Sequence, residues 1–227
     1  LAEMHTSDKY STRIMQELPN EFEYAVLKSI VNQALCDPMI RQERRTALEE
    51  VMWLADSFYD LQFKHDSDIA ERVIFPLSDS ESRGIEDARF VRFVDDDQSE
   101  KVIATYTAYN GHVILPKLIS TEDFYTFRVM PLHGIGAQNK NLALFPRKIK
   151  GKYAMLSRID GVNNYLMYSD RPTQWNDPVI LQEPRYTWEF TQIGNCGSPL
   201  WTTEGWLVIT HGVGAMRRYC IGASLFD

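Results

Sequence analysis

The spacing of hydrophobic positions changes near residue 65 of the chain. Before that point, apolar residues recur at helical spacing within residues 21–35 and again within residues 48–58, which predicts two amphipathic helices. Asp37 followed by Pro38 predicts the start of the second helix, because Pro is tolerated in a first turn and Asp can cap it. We expect the charged residues of the second helix to form a solvated face. They are Arg41, Glu43, Arg44, Arg45 and Glu49.

After residue 70 the pattern becomes short, alternating segments rich in β-branched and aromatic residues and broken by turn signals. Such segments are typical of strands, and Asn110-Gly111 between two of them predicts a hairpin. The candidate strands are Phe90–Val94, Val102–Ala108, His112–Ile119, Phe124–Val129, Tyr153–Arg158, Tyr165–Ser169, Ser198–Thr202, Trp206–Thr210 and Tyr219–Leu225.

No long helix interrupts these strands, which argues against a parallel α/β sheet. The strands fall into groups of about four with a period of roughly fifty residues, the register of antiparallel propeller blades. A β-sandwich is the competing architecture. We therefore expect a mainly β chain, with a helical segment over residues 1–65 and a β domain over residues 66–227.

Composition narrows the class of protein further. The chain of 227 residues is 44% hydrophobic and 12% aromatic, enough to bury a sizeable core. A net charge of −7 argues against a broad nucleic-acid surface. Three cysteines without CxxC spacing indicate free thiols in a reducing compartment, and no apolar stretch is long enough to cross a bilayer. These features predict a cytoplasmic protein.

Polar residues gather at the ends of several predicted strands. The segment Gly84–Arg89 places two carboxylates and an Arg just before a strand, and Tyr106–Gly111 ends the next one. Arg158 with Asp160, the loop 192–199 and His211 lie at later strand ends. Each group alone can be a salt-bridged turn or a core residue, but the inner strands of a propeller bring their ends around one central funnel.

Other chemistries have little support in the sequence. The histidines at positions 5, 65, 112, 133 and 211 lack metal-ligand spacing, so no metal site is expected. No GxSxG elbow and no phosphate-binding glycine loop is present. Cys196 near His211 is a conceivable nucleophile, but nothing in the sequence orients such a base.

These residues carry a resemblance to a known family. The segments Gly84–Arg89, Tyr106–Gly111 and Leu144–Ile149 resemble signatures of glycoside hydrolase family 130, which contains β-mannoside phosphorylases and related β-mannosidases. Further segments of the same kind are Ser169-Asp170 followed by Trp175, Gly205-Trp206-Leu207 and His211-Gly212-Val213. The resemblance covers roughly residues 70 to 227.

The resemblance implies a five-bladed β-propeller with its active site at the central funnel. The chain would supply about three blades and the helical segment would be an insertion. It implies that longer members extend past both of its ends, so residues 1–227 alone are expected to be marginally stable and inactive. In this family Asp87 would be the general acid, passing its proton through the 3-hydroxyl of mannose while inorganic phosphate attacks the anomeric carbon with inversion. Phosphate is a co-substrate, and no cofactor is expected.

The resemblance also assigns the phosphate cradle. Arg158 and His211 match its Arg and His, while Gln192 stands where the phosphorolytic members have Lys. The remaining residues expected to bind a β-mannoside oligosaccharide are Glu86, Arg89, Tyr106, Asn110, Lys148, Asp160 and Asn195. Two smaller departures from the family pattern are Ala88 in place of Pro and Asn110 in place of Asp.

Two alternatives stay open beside a phosphorylase. An inverting β-mannosidase would use a glutamate to activate water, and the nearby glutamates, Glu183, Glu189 and Glu204, match no motif position. A non-catalytic carbohydrate-binding propeller would keep the funnel without the chemistry. Trp175, Trp188 and Trp201 are candidates to stack on a sugar ring, although core packing is the better explanation for each taken singly. A homo-oligomer is compatible with the sequence.

Overall fold

The computed structural model describes residues 12, 14–16, 18 and 21–227. The other residues of the predicted helical segment (1–11, 13, 17, 19 and 20, including His5) lie outside the described part. The chain divides into two compact units between Phe58 and Tyr59, seven residues before the predicted boundary.

The first unit contains helices α1 (Tyr24–Leu35) and α2 (Gln42–Ser57). Their apolar faces share one small core that includes Leu27, Val31 and Leu48, as the spacing predicts. The predicted helix start at Asp37-Pro38 is wrong, since α2 begins only at Gln42. The Asp37 carboxylate instead accepts a hydrogen bond from the Met39 N–H at 2.9 Å, which forms a separate turn.

The second unit is built of antiparallel strands in three sheets. The first sheet has the order β1-β5-β4-β3-β2, and the extra edge strand β1 arises from a segment that the sequence assigned to the helical region. Its strands are β1 (Tyr59–Gln62), β2 (Ile85–Val94), β3 (Glu100–Tyr109), β4 (Ile114–Thr121) and β5 (Thr126–Pro131).

The second and third sheets each have four strands. The second has the order β6-β7-β8-β9. In the third, β12 pairs with β10 and β11 along one edge and with β13 along the other. These strands are β6 (Lys140–Leu144), β7 (Tyr153–Arg158), β8 (Asn164–Ser169), β9 (Val179–Gln182), β10 (Gln192–Asn195), β11 (Leu200–Thr202), β12 (Gly205–Val213) and β13 (Tyr219–Phe226).

The middle sheet is buried on both faces. Along β7, Tyr153 and Met155 pack in a core with residues of the first sheet, whereas Ala154 and Leu156 pack with Trp206 of the third sheet. This is the period-2 alternation of a strand with apolar layers on both sides. Three sheets therefore stack in chain order.

The chain is mainly β, as predicted, and all nine predicted strands are present, eight of them with shifted ends. The three sheets do not close into a ring within the described residues, so the propeller remains a proposal. None of the helices in the described residues combines the length and apolar character that a membrane crossing requires.

Candidate active site

Asp87 lies on a β-bulge near the start of β2. The pairing of β2 with β3 slips between Glu86 and Arg89, and Asp87 has a φ of 59°. A left-handed conformation is uncommon for a residue other than glycine, and bulges re-aim side chains beside functional sites. The sequence placed Gly84–Arg89 before the strand. In the structure Ile85–Arg89 form its first half, with the irregularity at the predicted acid.

Asp87 opens onto a cavity of about 630 Å³ that is lined by strands or strand ends of all three sheets. Five residues predicted from the sequence meet there: Asp87, Arg89, Arg158, Gln192 and His211. They lie on strands β2, β7, β10 and β12, and the first and last of them, Asp87 and His211, are more than a hundred residues apart in the sequence. The expectation that strand ends converge on one site is met for these five residues.

Two guanidinium groups lie buried in the wall of this cavity. Arg158 is only 8% exposed, and Arg89 is half-buried. Burial lowers the pKa of both, and the proximity of Arg89 lowers the pKa of Arg158 further. Neither forms a salt bridge with a described carboxylate, and the Nε atom of each has no hydrogen-bond partner there. The Asp87 carboxylate is the one negative charge that acts on both guanidiniums, so this wall keeps an excess of positive charge and is suited to an anionic ligand.

His211 faces the same wall. Burial lowers its pKa, Arg158 and Arg89 lower it further, and Asp87 opposes them, so the imidazole is neutral at pH 7. Its Nδ1 lies 3.7 Å from Cys196 Sγ. Because burial raises the pKa of that thiol, the pair is a neutral imidazole beside a thiol. An activated thiolate nucleophile would require a lowered pKa instead.

Gly194 makes room for the imidazole. It pairs with His211 across β10 and β12, and a Cβ on it would lie 3.0 Å from His211 Cε1 and 2.8 Å from Asn141 Nδ2. Such contacts are too close for a side chain, so only glycine fits here without moving a neighbour.

Gln192 bridges the buried cation and the backbone. With its amide oriented to satisfy both neighbours, the oxygen accepts from Arg158 Nη1 at 2.6 Å and the nitrogen donates to the Gly161 carbonyl at 3.2 Å. The side chain therefore orients Arg158 without adding positive charge.

Glu86 and Asn195 do not line the cavity, but each contacts a residue that does. Glu86 forms an ion pair with Lys140, which lines the cavity. Asn195 is fully buried; its Nδ2 donates to the Asn141 carbonyl at 2.6 Å, and its carbonyl accepts from Asn141 Nδ2 at 2.9 Å. This reciprocal pair joins β10 to β6 beside the site.

Tyr106 and Asn110 do not line the cavity. The Tyr106 hydroxyl donates to the buried carboxylate of Glu81 at 2.6 Å. The Asn110 side chain accepts from the N–H groups of His112 and Val113, as in a hairpin turn. Both residues therefore have structural partners in the segments that flank the strands of the first sheet.

Lys148 and Asp160 also lie outside the cavity lining. Lys148 Nζ lies 2.7 Å from Asp95, and this hydrogen bond raises the pKa of the lysine. The Asp160 carboxylate accepts from the N–H groups of Val162 and Asn163. Burial raises the pKa of Asp160, but these bonds outweigh it and leave the pKa lowered. Their roles toward a sugar remain predictions.

The three tryptophans proposed to stack on a sugar differ in their exposure and contacts. Trp175 is fully buried and donates from Nε1 to the Pro172 carbonyl, so it packs the core and cannot stack on a sugar. Trp188 stacks on Tyr186 with 5.7 Å between ring centroids. Trp201 is 55% exposed with the Arg147 guanidinium 4.7 Å from its ring centroid. Neither Trp188 nor Trp201 lines the cavity.

Sequence reasoning missed several cavity residues. Lys140 and Asn141 lie on β6, a five-residue strand without the alternating pattern, and Arg217 and Tyr219 lie at the β12–β13 connection. The adjacent arginines at positions 217 and 218 were the sequence feature that could have indicated a cationic residue of the site. Within the described part of the chain, no three His, Cys, Asp or Glu side chains are grouped so as to hold a metal ion.

The model of the glycoside hydrolase family described as beta-1,4-mannooligosaccharide phosphorylase matches residues 46–227. The 1,2-beta-oligomannan phosphorylase of Thermoanaerobacter sp. (strain X514) is 38% identical over 91 residues, covering 39% of this chain and 30% of the relative. The beta-1,2-mannobiose phosphorylase of Listeria innocua is 28% identical over 160 residues, covering 68% of this chain and 43% of the relative.

A solved structure of the Listeria innocua enzyme, in complex with beta-1,2-mannobiose, superimposes with a TM-score of 0.58 at 27% identity. The alignment covers 68% of this chain and 44% of that one. The chain therefore spans less than half the length of each of these relatives.

Proposed function

Because the chain belongs to glycoside hydrolase family 130, we propose that the protein is an inverting phosphorylase that cleaves β-linked mannosides and releases mannose 1-phosphate. The names of the relatives, each a phosphorylase of a mannose oligosaccharide, support the reaction and the substrate class. The cavity around Asp87 supplies the chemistry.

The observation that carries this proposal is the pair of buried guanidiniums, Arg89 and Arg158, beside one carboxylate. Inorganic phosphate is a mixture of mono- and dianion at neutral pH, and guanidinium groups match its oxygens in charge and geometry. A neutral His211 can donate one further hydrogen bond without competing for a counter-ion. In this proposal Arg158 and His211 hold phosphate, with Gln192 orienting Arg158.

Asp87 is the general acid of the proposal. Its carboxyl proton passes to the glycosidic oxygen, through the 3-hydroxyl of the bound mannose, as the bond from that oxygen to the anomeric carbon breaks. A phosphate oxygen forms the new bond to the anomeric carbon from the opposite face, which inverts its configuration. Phosphate is already a nucleophile and needs positioning and charge compensation, which arginines provide.

The distribution of carboxylates favours phosphorolysis over hydrolysis. An inverting hydrolase needs a second carboxylate as a base to activate water. Among the described residues that line the cavity, Asp87 is the sole carboxylate. Glu183 and Glu189 line a different cavity, and Glu204 lies in the turn between β11 and β12. None of these three is placed to activate water beside Asp87.

The function is tested by incubating the full-length protein with β-1,2- or β-1,4-mannobiose, with and without phosphate. We expect mannose 1-phosphate by ³¹P NMR and no turnover without phosphate. Free mannose formed at the same rate in both samples would contradict phosphorolysis and indicate a β-mannosidase. Binding of mannobiose without either product would indicate a carbohydrate-binding protein.

We also propose that the three sheets are consecutive blades of a five-bladed propeller. The support is their stacking in chain order around a cavity to which each contributes, and the likeness to the solved mannobiose phosphorylase. A crystal structure of the full-length protein with five blades around this cavity is the expected result. Two face-packed sheets would indicate the β-sandwich.

A further inference from the structure

The proposed phosphate site leaves part of a dianion without a partner. One nitrogen of Arg158 is already engaged by the Gln192 amide at 2.6 Å, and Arg89 Nη2 lies 3.4 Å from the Asn195 carbonyl. Gln192 and His211 add no positive charge. The two guanidiniums match the charge of a phosphate dianion, but the oxygen atoms that face away from them can still accept charge-assisted hydrogen bonds from a further cation.

Two other cations line this cavity, Lys140 and Arg217. Lys140 is already paired with Glu86. Arg217 is exposed and forms neither an ion pair nor a side-chain hydrogen bond within the described part of the chain. It is thus the cation of the cavity that remains available to an incoming anion.

The connection between β12 and β13 directs Arg217 to this position. Met216 and Arg217 have φ angles of 56° and 57°, and two successive left-handed residues that are not glycine are costly to maintain. The Gly214 N–H donates to the Arg218 carbonyl at 2.9 Å and closes the loop. As a result the two adjacent arginines separate. Arg217 lines the cavity of Asp87, and Arg218 lines a different one.

We propose that Arg217 is a further phosphate-binding residue, which caps the outward-facing oxygens of inorganic phosphate held by Arg158 and His211. This inference rests on the proposed phosphorolytic function. A guanidinium at the mouth of the cavity attracts the dianion from solvent and closes over it by charge-assisted hydrogen bonds. It acts on phosphate alone, because its partner is the anion rather than the sugar.

The inference is tested by calorimetric titration of the full-length protein with inorganic phosphate. We expect Arg217→Ala to weaken phosphate binding about tenfold or more, the effect of losing one charge-assisted hydrogen bond, and Arg217→Lys to recover most of it. Arg218→Ala is the matched control, since Arg218 is the adjacent cation on the same loop, and it should bind phosphate as the wild type does.

Kinetics add a second readout. In Arg217→Ala the KM for phosphate should rise while the KM for mannobiose stays within about twofold. Equal phosphate affinity in Arg217→Ala and wild type, equal losses in the two alanine variants, or a wild type that binds no phosphate would overturn the inference. Phosphate binding that depends on Arg217 in a protein that forms no mannose 1-phosphate would uphold the inference while refuting the proposed function.

Discussion

The ammonium group of Lys117 lies 3.0 Å from the carboxylate of Glu81, and both side chains are fully buried. The hydroxyls of Tyr59 and Tyr106 donate to the same carboxylate, and Lys117 Nζ also donates to Ser78 Oγ. This network joins β1, β3 and β4 to the loop that precedes β2. It therefore anchors the segment that leads into the bulge at Asp87.

Replacing Lys117 should destabilise the second unit. The Lys117→Met variant leaves Glu81 buried without its counter-charge, and removing one partner of a buried ion pair costs about 3–5 kcal/mol. Urea unfolding of the full-length protein measures this difference. The control is Arg92→Met, which removes an exposed ion pair with Glu100 and should cost at most about 1 kcal/mol. Equal losses would contradict the role assigned to the buried pair.

The same network predicts acid sensitivity. Burial tends to raise the pKa of Glu81, but hydrogen bonds from Tyr106 and the backbone, together with Lys117, lower it from 4.5 to about 2. The unfolded state then binds more protons than the folded state between these values, so the free energy of unfolding falls as the pH drops from about 4.5 to about 2. In Glu81→Gln that decline should be shallower. If Glu81→Gln showed the same pH dependence as the wild type, the pKa of Glu81 would not be lowered in the folded state.

His211 should titrate below the ordinary pKa of histidine. Its burial and the charges of Arg158 and Arg89 disfavour the imidazolium, so NMR titration should give a midpoint below 6.5 in the wild type. Arg158→Gln should raise that midpoint, because it removes a nearby positive charge. Arg92→Gln, which removes a cation that does not line the cavity, should leave it unchanged. A midpoint that is insensitive to Arg158 would argue against the packing described.

Gly194→Ala should disturb the site more than an alanine three residues further on. The new Cβ at position 194 meets Asn141 Nδ2 and His211 Cε1, whereas at Gly197 nothing lies within 4 Å. We expect kcat/KM for phosphate to fall about tenfold in Gly194→Ala and to stay within about twofold in Gly197→Ala. Melting temperatures of both variants separate a local effect from unfolding. Indistinguishable variants would mean that His211 tolerates displacement.

Asp87→Asn removes the proposed acid and keeps the shape of the side chain. General acid catalysis contributes about 10²–10⁴-fold, so kcat should fall within that range. The control, Asp60→Asn, breaks an exposed salt bridge with Arg128 outside the cavity and should retain activity. A loss of less than about tenfold in Asp87→Asn would exclude Asp87 as the acid.

The sequence was sufficient for the alternating strands and for five of the residues that line the cavity, Asp87 among them. Strand β7 was predicted with its observed ends, Tyr153–Arg158, because its residues are strand formers and a turn signal, Asp160-Gly161, follows them. Short strands were missed instead: β6, β9 and β10 have four or five residues, and their pairing partners, rather than their own pattern, define them.

The bulge at Asp87 could not be predicted from local pattern. It exists because Glu86 and Arg89 pair with residues of β3 two positions apart, a fact of register between strands. For Tyr106 a sequence motif was present, and it predicted a sugar contact. In the structure the hydroxyl of Tyr106 bonds to Glu81, which is twenty-five residues away in the sequence. The position of Arg217 could not be predicted for a similar reason. Only the backbone conformation of the loop directs Arg217 and Arg218 to different cavities.

The central claim is that phosphate binds against Arg158 and His211 beside Asp87. The most direct test is a crystal structure of the full-length protein with phosphate and mannobiose. We expect phosphate oxygens within hydrogen-bonding distance, about 2.7–3.2 Å, of the Arg158 guanidinium and the His211 imidazole. The phosphorus should face the anomeric carbon on the side opposite Asp87. Sugar hydroxyls bound to Arg158 and His211, with no phosphate at this wall of the cavity, would contradict the proposed phosphate site.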